Sequence, residues 1–208
     1  MKSSLKNMVM VLGAITFISA ACVGAVNMIT EQAIADAKVR ATNAALEAVL
    51  PTFERTESWT TEADGLQLTI NKAIVGEQTV GFAVESISKN GFGGAVRLMV
   101  GFDAEGRILN INVLEQTETP GLGTKMCDEG NPLLTSFKDK LAADMKMSVR
   151  KDGGDVDALT AATISSRAYT EAVARAYEAF KVASGAQSKA NAVTGASQQI
   201  EKGGEHGK

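Results

Sequence analysis

The chain has 208 residues, 45% of them hydrophobic, and a formal net charge of −3 at pH 7. A chain of this length can bury one sizeable core. The slightly negative balance offers no basic surface of the kind that binds nucleic acid. Composition therefore excludes a nucleic-acid-binding protein and favours a single folded domain.

The N-terminal region carries a long uncharged apolar run. As a helix, the run from Met8 to Ile29 would extend ~33 Å, which matches a bilayer core of ~30 Å. Lys2 and Lys6 precede the run, and by the positive-inside rule they predict a cytoplasmic N-terminus. Residues 1–29 are therefore predicted to be a cytoplasmic N-terminus followed by one transmembrane helix.

A cleaved signal peptide is the alternative for this segment. The apolar run is longer than the about 7–15 residues that are usual in such peptides, which favours a retained anchor. Ser19-Ala20-Ala21-Cys22 also resembles a lipoprotein cleavage box, so lipidation of Cys22 stays open. Either way, the following domain is predicted on the outer face of the inner membrane.

Residues 30–183 are predicted to form one extracytoplasmic α+β domain. Alanines at helical spacing over residues 30–50 predict a helix that ends before Pro51. Asp103-Ala104-Glu105-Gly106 predicts a hairpin turn. Four short segments with β-branched residues predict an antiparallel sheet, and they are residues 66–75, 79–88, 95–103 and 107–115.

Two more segments complete the predicted domain. Residues 132–143 predict a helix whose inward side chains are Leu133, Leu134, Phe137 and Leu141. Residues 147–150 predict a short strand. A run of strands with helices at either end is typical of the α+β class, here an antiparallel sheet with flanking helices.

The C-terminal residues 184–208 are rich in Gly, Ser, Gln, Asn and Lys and lack an apolar period. They are predicted to be disordered. The single histidine, His206, lies in this tail without other metal ligands nearby, so no metal site is predicted.

The segment Asp157-Ala158-Leu159-Thr160-Ala161-Ala162-Thr163 opens the last predicted helix of the domain, whose apolar residues recur at helical spacing from Ile164 to Phe180. Asp157 and Thr160 are candidate helix caps. Thr163 falls in the first turn, where unpaired backbone N–H groups and the positive end of the helix dipole favour a phosphate. The segment therefore indicates an attachment point for a phosphorylated cofactor, with an ordinary capped helix start as the alternative.

Two glycine-containing segments lie upstream of this motif. Glu118-Thr119-Pro120-Gly121-Leu122-Gly123 contains a Thr-Pro-Gly turn, which exposes backbone amides and lets a flat ring approach the chain. Gly91-Phe92-Gly93-Gly94 precedes an apolar segment. Taken singly, each is also consistent with a plain turn between strands.

Together, the three segments resemble the family of FMN-binding domains that hold flavin covalently. The opening residues Met1-Lys2-Ser3-Ser4-Leu5-Lys6-Asn7-Met8-Val9 also resemble the start of the G subunit of the Rnf electron-transport complex. The pattern Asp-x-x-Thr-Ala-Ala-Thr is similar to the motif that flavin transferases modify, which implies FMN esterified through its phosphate to Thr163. Most members carry glycine where this chain has Ala161. The other residues that the resemblance implies in the cofactor site are Glu118, Thr119, Gly121, Leu122, Gly93, Gly94, Asp157 and Thr160.

The resemblance implies a membrane-anchored electron carrier within an ion-translocating ferredoxin:NAD oxidoreductase. Its partners would be the other subunits of that complex and a flavin transferase for maturation. The chain has no general-base histidine, metal cluster or nicotinamide fingerprint, which argues against an enzyme that acts alone. The C subunit of a Na+-translocating NADH:quinone reductase is an alternative, as is a non-redox exported ligand-binding module.

Two further features are not assigned to the cofactor. Val193-Thr194-Gly195-Ala196-Ser197 mimics the attachment motif, but Asn191 takes the place of the aspartate and serine that of the last threonine. Cys22 and Cys127 cannot pair within the domain. Cys127 is expected to be a small buried residue, with a place near the cofactor as the alternative.

Overall fold

The structure is a computed structural model that describes the backbone of residues 5–200 and the side chains of residues 5–185. The chain divides into two compact units after Asn43. A long helix, α1 (Leu5–Val49), runs through this division. The helix ends at Val49, before Pro51, as predicted. Leu50 precedes the proline, and the residue before a proline disfavours the helical conformation.

The N-terminal part of α1 is the predicted apolar helix. Within residues 5–200, α1 is the one helix that is both long and apolar enough to cross a membrane. Its large apolar side chains are exposed, among them Leu12, Phe17 and Val23. Lys2, on which the predicted orientation partly rests, lies outside the described residues.

Five strands form one antiparallel sheet whose spatial order follows the chain. They are β1 (Arg55–Ala63), β2 (Leu66–Val75), β3 (Gln78–Ser88), β4 (Val96–Phe102) and β5 (Ile108–Glu115). The predicted α+β class with an antiparallel sheet is confirmed. The four predicted strands agree with β2 to β5 within one residue at each end.

β1 was not predicted, because its residues are mostly charged or hydroxylated. Only Trp59 and Ala63 of this edge strand pack toward the core. Charges on an edge strand discourage pairing with other chains. The overlooked signal is the Asp64-Gly65 turn into β2, whose φ values of 54° and 70° fit the two-residue turn that Asp-Gly favours.

One face of the sheet packs against a long C-terminal helix, α3 (Thr163–Ile200). Phe180 of α3 stacks on Phe102 with ring centroids 4.9 Å apart and meets Phe82 edge-on at 5.5 Å. This burial of aromatic area fixes the position of α3 on the sheet.

A charged cluster also anchors α3. Arg175 is only 7% exposed and donates to Glu171 Oε1 at 2.7 Å and to Asp64 Oδ2 at 2.9 Å. The other oxygen of Glu171 accepts from Ser88 Oγ at 2.8 Å. Glu171 and Arg175 are one helical turn apart, and Arg175 lies buried against the sheet.

The opposite face of the sheet is covered by the C-terminal end of α1. Leu46 and Val49 pack there against Met99 of β4. Gly101 allows this close approach, because a Cβ at that position would lie 1.9 Å from the carbonyl oxygen of Val49. Both faces of the sheet are therefore covered.

The region after β5 differs from the prediction. The helix predicted over residues 132–143 is shorter, because α2 (Pro132–Phe137) stops where Asp139 takes a left-handed φ of 61°. The backbone beyond that point bonds to β5, since Ile108 N donates to Lys140 O at 2.9 Å. The strand predicted at residues 147–150 is only an isolated bridge between Val149 and Val156.

The C-terminal helix runs farther than predicted. Disorder was predicted from residue 184, but α3 continues to Ile200. Alanine, glutamine and lysine favour a helix by their intrinsic propensity, even without an apolar face. The prediction of disorder relied on the missing apolar face and did not weigh this propensity. Residues 201–208, including His206, lie outside the described residues.

Candidate functional site

The last helix begins at Thr163, as the motif predicts. The first helical hydrogen bond runs from Ser166 N to Ala162 O at 2.9 Å, while Ala162 N bonds back to Leu159 O at 3.2 Å. The N–H groups of residues 163–165 precede any partner within the helix. This helix end therefore offers unpaired donors and a positive dipole end to an anion.

Asp157 and Thr160 do not cap α3, contrary to the prediction. Asp157 Oδ1 accepts from Arg150 Nε at 2.5 Å, and the Asp157 N–H donates to Ser136 Oγ at 2.9 Å. The Thr160 hydroxyl makes no hydrogen bond to residues 5–185. A cap must come from the residue directly before the helix, and Ala162 has no side-chain acceptor.

Ser166 holds the turn before α3 instead. Its buried hydroxyl accepts from Leu159 N at 2.9 Å and donates to Ala162 O at 2.8 Å. Ala161 lies at the tip of this turn with a left-handed φ of 61°, a conformation that favours glycine. The resembling motif usually carries glycine at this position, and the backbone gives the physical reason.

The Thr-Pro-Gly segment forms the expected exposed turn. Leu122 N donates to Thr119 O at 3.2 Å, and Gly121 has a φ of 74°. Proline followed by a residue of positive φ is the pattern of a type II turn. No atom lies within 4 Å of the place where a Cβ of Gly121 would stand, so this residue faces open space.

A groove of about 320 Å3 lies between this turn and the start of α3. Its walls come from all three predicted segments: Phe92 from the glycine segment, Thr119 and Leu122 from the turn, and Thr163 and Ile164 from α3. Its volume is at the lower end of the range that is typical of small-molecule sites.

The rim of the groove is apolar and exposed. Phe92 is 67% exposed, Ile164 46% and Leu122 40%. These side chains surround the half-buried Thr163. Apolar walls with a few placed polar groups are typical of a site for a flat organic ligand.

Glu118 lies behind this groove and joins the three segments. It is 4% exposed, and its Oε1 accepts from Gly93 N at 3.2 Å. Its Oε2 accepts from the hydroxyl of Ser165 at 2.6 Å. A single carboxylate thus bonds to the glycine segment and to the first turn of α3.

The glycines of these segments allow the loops to pack closely. A Cβ at Gly93 would lie 1.9 Å from Thr117 O, and one at Gly123 would lie 2.7 Å from Ser165 Oγ. Gly94 has a φ of 143° and belongs to the same loop contact. Gly93 and Gly94 therefore shape the support of the groove and are not among the residues that line it.

The predicted site residues thus fall into two groups. Those that line the groove are Thr119, Leu122 and Thr163. Those that lie behind or beside it are Glu118, Gly93, Gly94, Gly121, Asp157 and Thr160. Sequence reasoning missed Phe92, Ile164 and Ser165, although an aromatic residue between glycines was a visible signal for Phe92.

Asp157 lines a different groove, of about 660 Å3, together with Arg150, Asp155 and Lys140. Its walls carry charges of both signs. Within the described residues, no cluster of three or more His, Cys, Asp or Glu side chains is arranged to hold a metal ion.

Cys127 is exposed, so the prediction of a buried residue is wrong. It ends a 3-10 helix, Gly123–Cys127, in which Met126 takes the buried position at 2% exposure. Partial desolvation of the sulfur and the charge of Asp128 both raise the pKa of the Cys127 thiol. The side chain therefore stays a neutral thiol at physiological pH.

Residues 91–178 match the FMN-binding domain family. The chain is also similar to proteins named as the G subunit of an ion-translocating oxidoreductase complex. The protein from Shewanella amazonensis is 42% identical over 101 residues, which cover 47% of each chain. The protein from Shewanella oneidensis is 41% identical over 100 residues, which cover 47% of each chain. The protein from Vibrio vulnificus is 39% identical over 104 residues, which cover 49% of each chain.

The matched domain includes all three segments that form the groove. The chain spans about half the length of the curated relatives that it matches. These comparisons confirm the predicted resemblance to the FMN-binding domain family and to the G subunit.

Proposed function

Because residues 91–178 match the FMN-binding domain family, we propose that this chain carries electrons through an FMN bound covalently to Thr163. The observation that supports this most strongly is the position of Thr163. It is the first residue of α3 and lines the same groove as Thr119 and Leu122.

The residues of the groove fit such a group. The N–H groups of residues 163–165 would donate hydrogen bonds to phosphate oxygens at the helix end, where Ala162 has no side chain that could accept these bonds instead. Phe92, Leu122 and Ile164 would contact the apolar ring system. These three side chains are exposed in the structure, and a flat ligand in the groove would cover their exposed surface.

The Thr163 hydroxyl is the group of this chain that would react in the attachment. Its oxygen would form the new bond to phosphorus and lose its proton. The bond between that phosphorus and the leaving group of the flavin donor would break, and the leaving group would depart from the phosphate. Asp157, six residues earlier, would serve recognition by the transferase rather than the bound state, since it lies outside the groove.

Bound FMN accepts and donates electrons one or two at a time, and this redox chemistry belongs to the cofactor. The chain would fix the orientation of the ring and leave one side of the groove accessible. A phosphoester to Thr163 would prevent loss of the cofactor outside the cell while leaving the ring unmodified. Electrons would pass to and from other proteins that dock at this rim.

The names of the relatives support a place in an ion-translocating oxidoreductase complex of the Rnf type. Residues 1–29 would anchor the chain in the inner membrane, with residues 30–183 on the outer face. Other subunits would supply the ferredoxin and NAD sites and the ion path. These names favour the G subunit of such a complex over the C subunit of a Na+-translocating NADH:quinone reductase.

Intact-mass measurement after co-expression with a flavin transferase tests the proposal. The wild-type chain should carry one FMN-phosphoryl adduct, which persists after denaturation. Thr163→Val, which keeps the shape but removes the hydroxyl, should abolish the adduct. The matched controls Thr194→Ala and Ser197→Ala, in the motif mimic, should leave it intact.

Two results would contradict the assignment. An adduct that persists in Thr163→Val would move the attachment to another residue. An unmodified wild-type chain that shows no flavin absorption would favour the non-redox binding module.

A further inference from the structure

Glu118 is an unusual acidic residue in this domain. Among residues 5–185 it is the only acidic residue in the buried class, and no Lys or Arg nitrogen of these residues lies within 4 Å of its carboxylate. Its two hydrogen-bond donors, the Gly93 N–H and the Ser165 hydroxyl, are both neutral. Among the described side chains, the Glu118 carboxylate therefore has no counter-ion.

The surrounding loops enclose the carboxylate closely. A Cβ at Gly91 would lie 2.4 Å from Oε1, and one at Gly123 would lie 2.8 Å from Oε2. Burying an ion without a partner is unfavourable even after the surroundings relax. A glutamine could join the same loops through neutral hydrogen bonds, so joining the loops does not by itself account for an acid.

The charge lies directly behind the wall of the groove. Ser165 lines the groove, and its hydroxyl is directed back to Oε2 of Glu118 at 2.6 Å. Glu118 is 4% exposed, so bulk solvent screens its charge little. A charge in such a setting acts more strongly on its neighbours than one at the surface.

From this arrangement we infer that Glu118 is a positioning residue whose charge lowers the reduction potential of the FMN bound in the groove. The inference rests on the proposed function. Each electron that enters the ring adds negative charge there, and the field of the nearby carboxylate opposes this. The bound flavin is then harder to reduce than it would be beside a neutral side chain.

The test is a redox titration of the flavin-loaded chain with dithionite as reductant, followed by absorption. Glu118→Gln keeps the shape of the side chain and removes the charge, so the midpoint potential should shift to a more positive value. Glu115→Gln is the matched control. This glutamate lies three residues earlier, and its exposed side chain is paired with Arg97. Its replacement should leave the potential unchanged.

Intact mass separates the failure of this inference from that of the proposed function. A wild-type chain without the adduct would refute the proposed function. A loaded Glu118→Gln variant with the wild-type potential would overturn the inference alone and leave Glu118 a structural link between loops.

Ser165→Ala provides a second test if Glu118→Gln does not fold or load. It keeps the carboxylate and removes one of its two neutral donors, so the negative field at the groove should increase. The potential should then shift to a more negative value. An unchanged or more positive potential in Ser165→Ala would overturn the inference.

Discussion

Arg150 Nε lies 2.5 Å from Oδ1 of Asp157, so the aspartate of the predicted attachment motif is already paired with an arginine of the same domain. Both side chains are more than half exposed. Such a pair contributes little to stability and opens readily. A transferase that needs the carboxylate would therefore compete with Arg150 for it.

This pairing gives a test of the role of Asp157. Asp157→Asn should yield folded chain with little or no FMN adduct, because an amide cannot replace a carboxylate in recognition by the transferase. Arg150→Ala frees the carboxylate and should be modified at least as fast as wild type. The measurement is intact mass over a time course with transferase and flavin donor.

Unfolding curves of the apo forms serve as the control for this pair of variants. Neither midpoint should change appreciably, because the ion pair is exposed. Full modification of Asp157→Asn at the wild-type rate would show that the aspartate is not recognised.

The anchoring cluster of α3 predicts how stability depends on pH. Burial alone would raise the pKa of Glu171, but hydrogen bonds from Arg175, Asn90 and Ser88 outweigh it, and the pKa lies below its ordinary value of 4.5. The folded state thus binds this proton less readily than the unfolded state does. Its stabilising contribution is complete above pH 4.5 and is lost as the pH falls through the lowered value.

Glu171→Gln should therefore lower the free energy of unfolding by about 1–2 kcal/mol at pH 7, after allowance for partial solvent screening. The difference from wild type should shrink as the pH falls below 4.5. Urea unfolding at a series of pH values measures both effects.

Glu178→Gln is the matched control on the same helix. Its carboxylate pairs with Lys181 at 2.7 Å, but both side chains are largely exposed. Its replacement should change stability little at any pH. A Glu171→Gln difference that stays constant well below the lowered pKa would show that packing, not charge, is responsible.

The strands could be predicted because their periodicity is local. Leu66, Leu68 and Ile70 alternate with polar residues, and this pattern alone determines which face of β2 turns inward. β1 has too few apolar residues for that signal, and its position depends on pairing with β2. The early end of α2 depends likewise on backbone bonds to β5.

The site was predictable in part for the same reason. The position of Thr163 at the start of α3 could be predicted because the motif and the apolar pattern of the helix lie next to each other in sequence. The neutral environment of Glu118 could not be predicted from the sequence, because its partners Gly93 and Ser165 are 25 and 47 residues away along the chain. The apolar periodicity of α3 also does not indicate that Arg175 is buried, since its partner Asp64 lies far away in sequence, in the turn between β1 and β2.

The left-handed backbone of Ala161 leads to a prediction about the turn before α3. A side chain at φ 61° costs about 1 kcal/mol or more relative to glycine. Ala161→Gly should therefore raise the free energy of unfolding of the apo chain by about 0.5–1 kcal/mol, once the greater freedom of glycine in the unfolded chain is deducted. Urea unfolding monitored by circular dichroism measures the change.

Ala158→Gly is the matched control, because Ala158 lies in the same loop without a positive φ. There the extra freedom of the unfolded chain is not offset by relief of strain, and stability should fall. Because Ala161 also lines the groove, intact mass should be compared, and Ala161→Gly should retain the FMN adduct at Thr163. Equal losses of stability in the two variants would contradict a strained Ala161 and would leave the glycine of related motifs to be explained by the transferase instead of the fold.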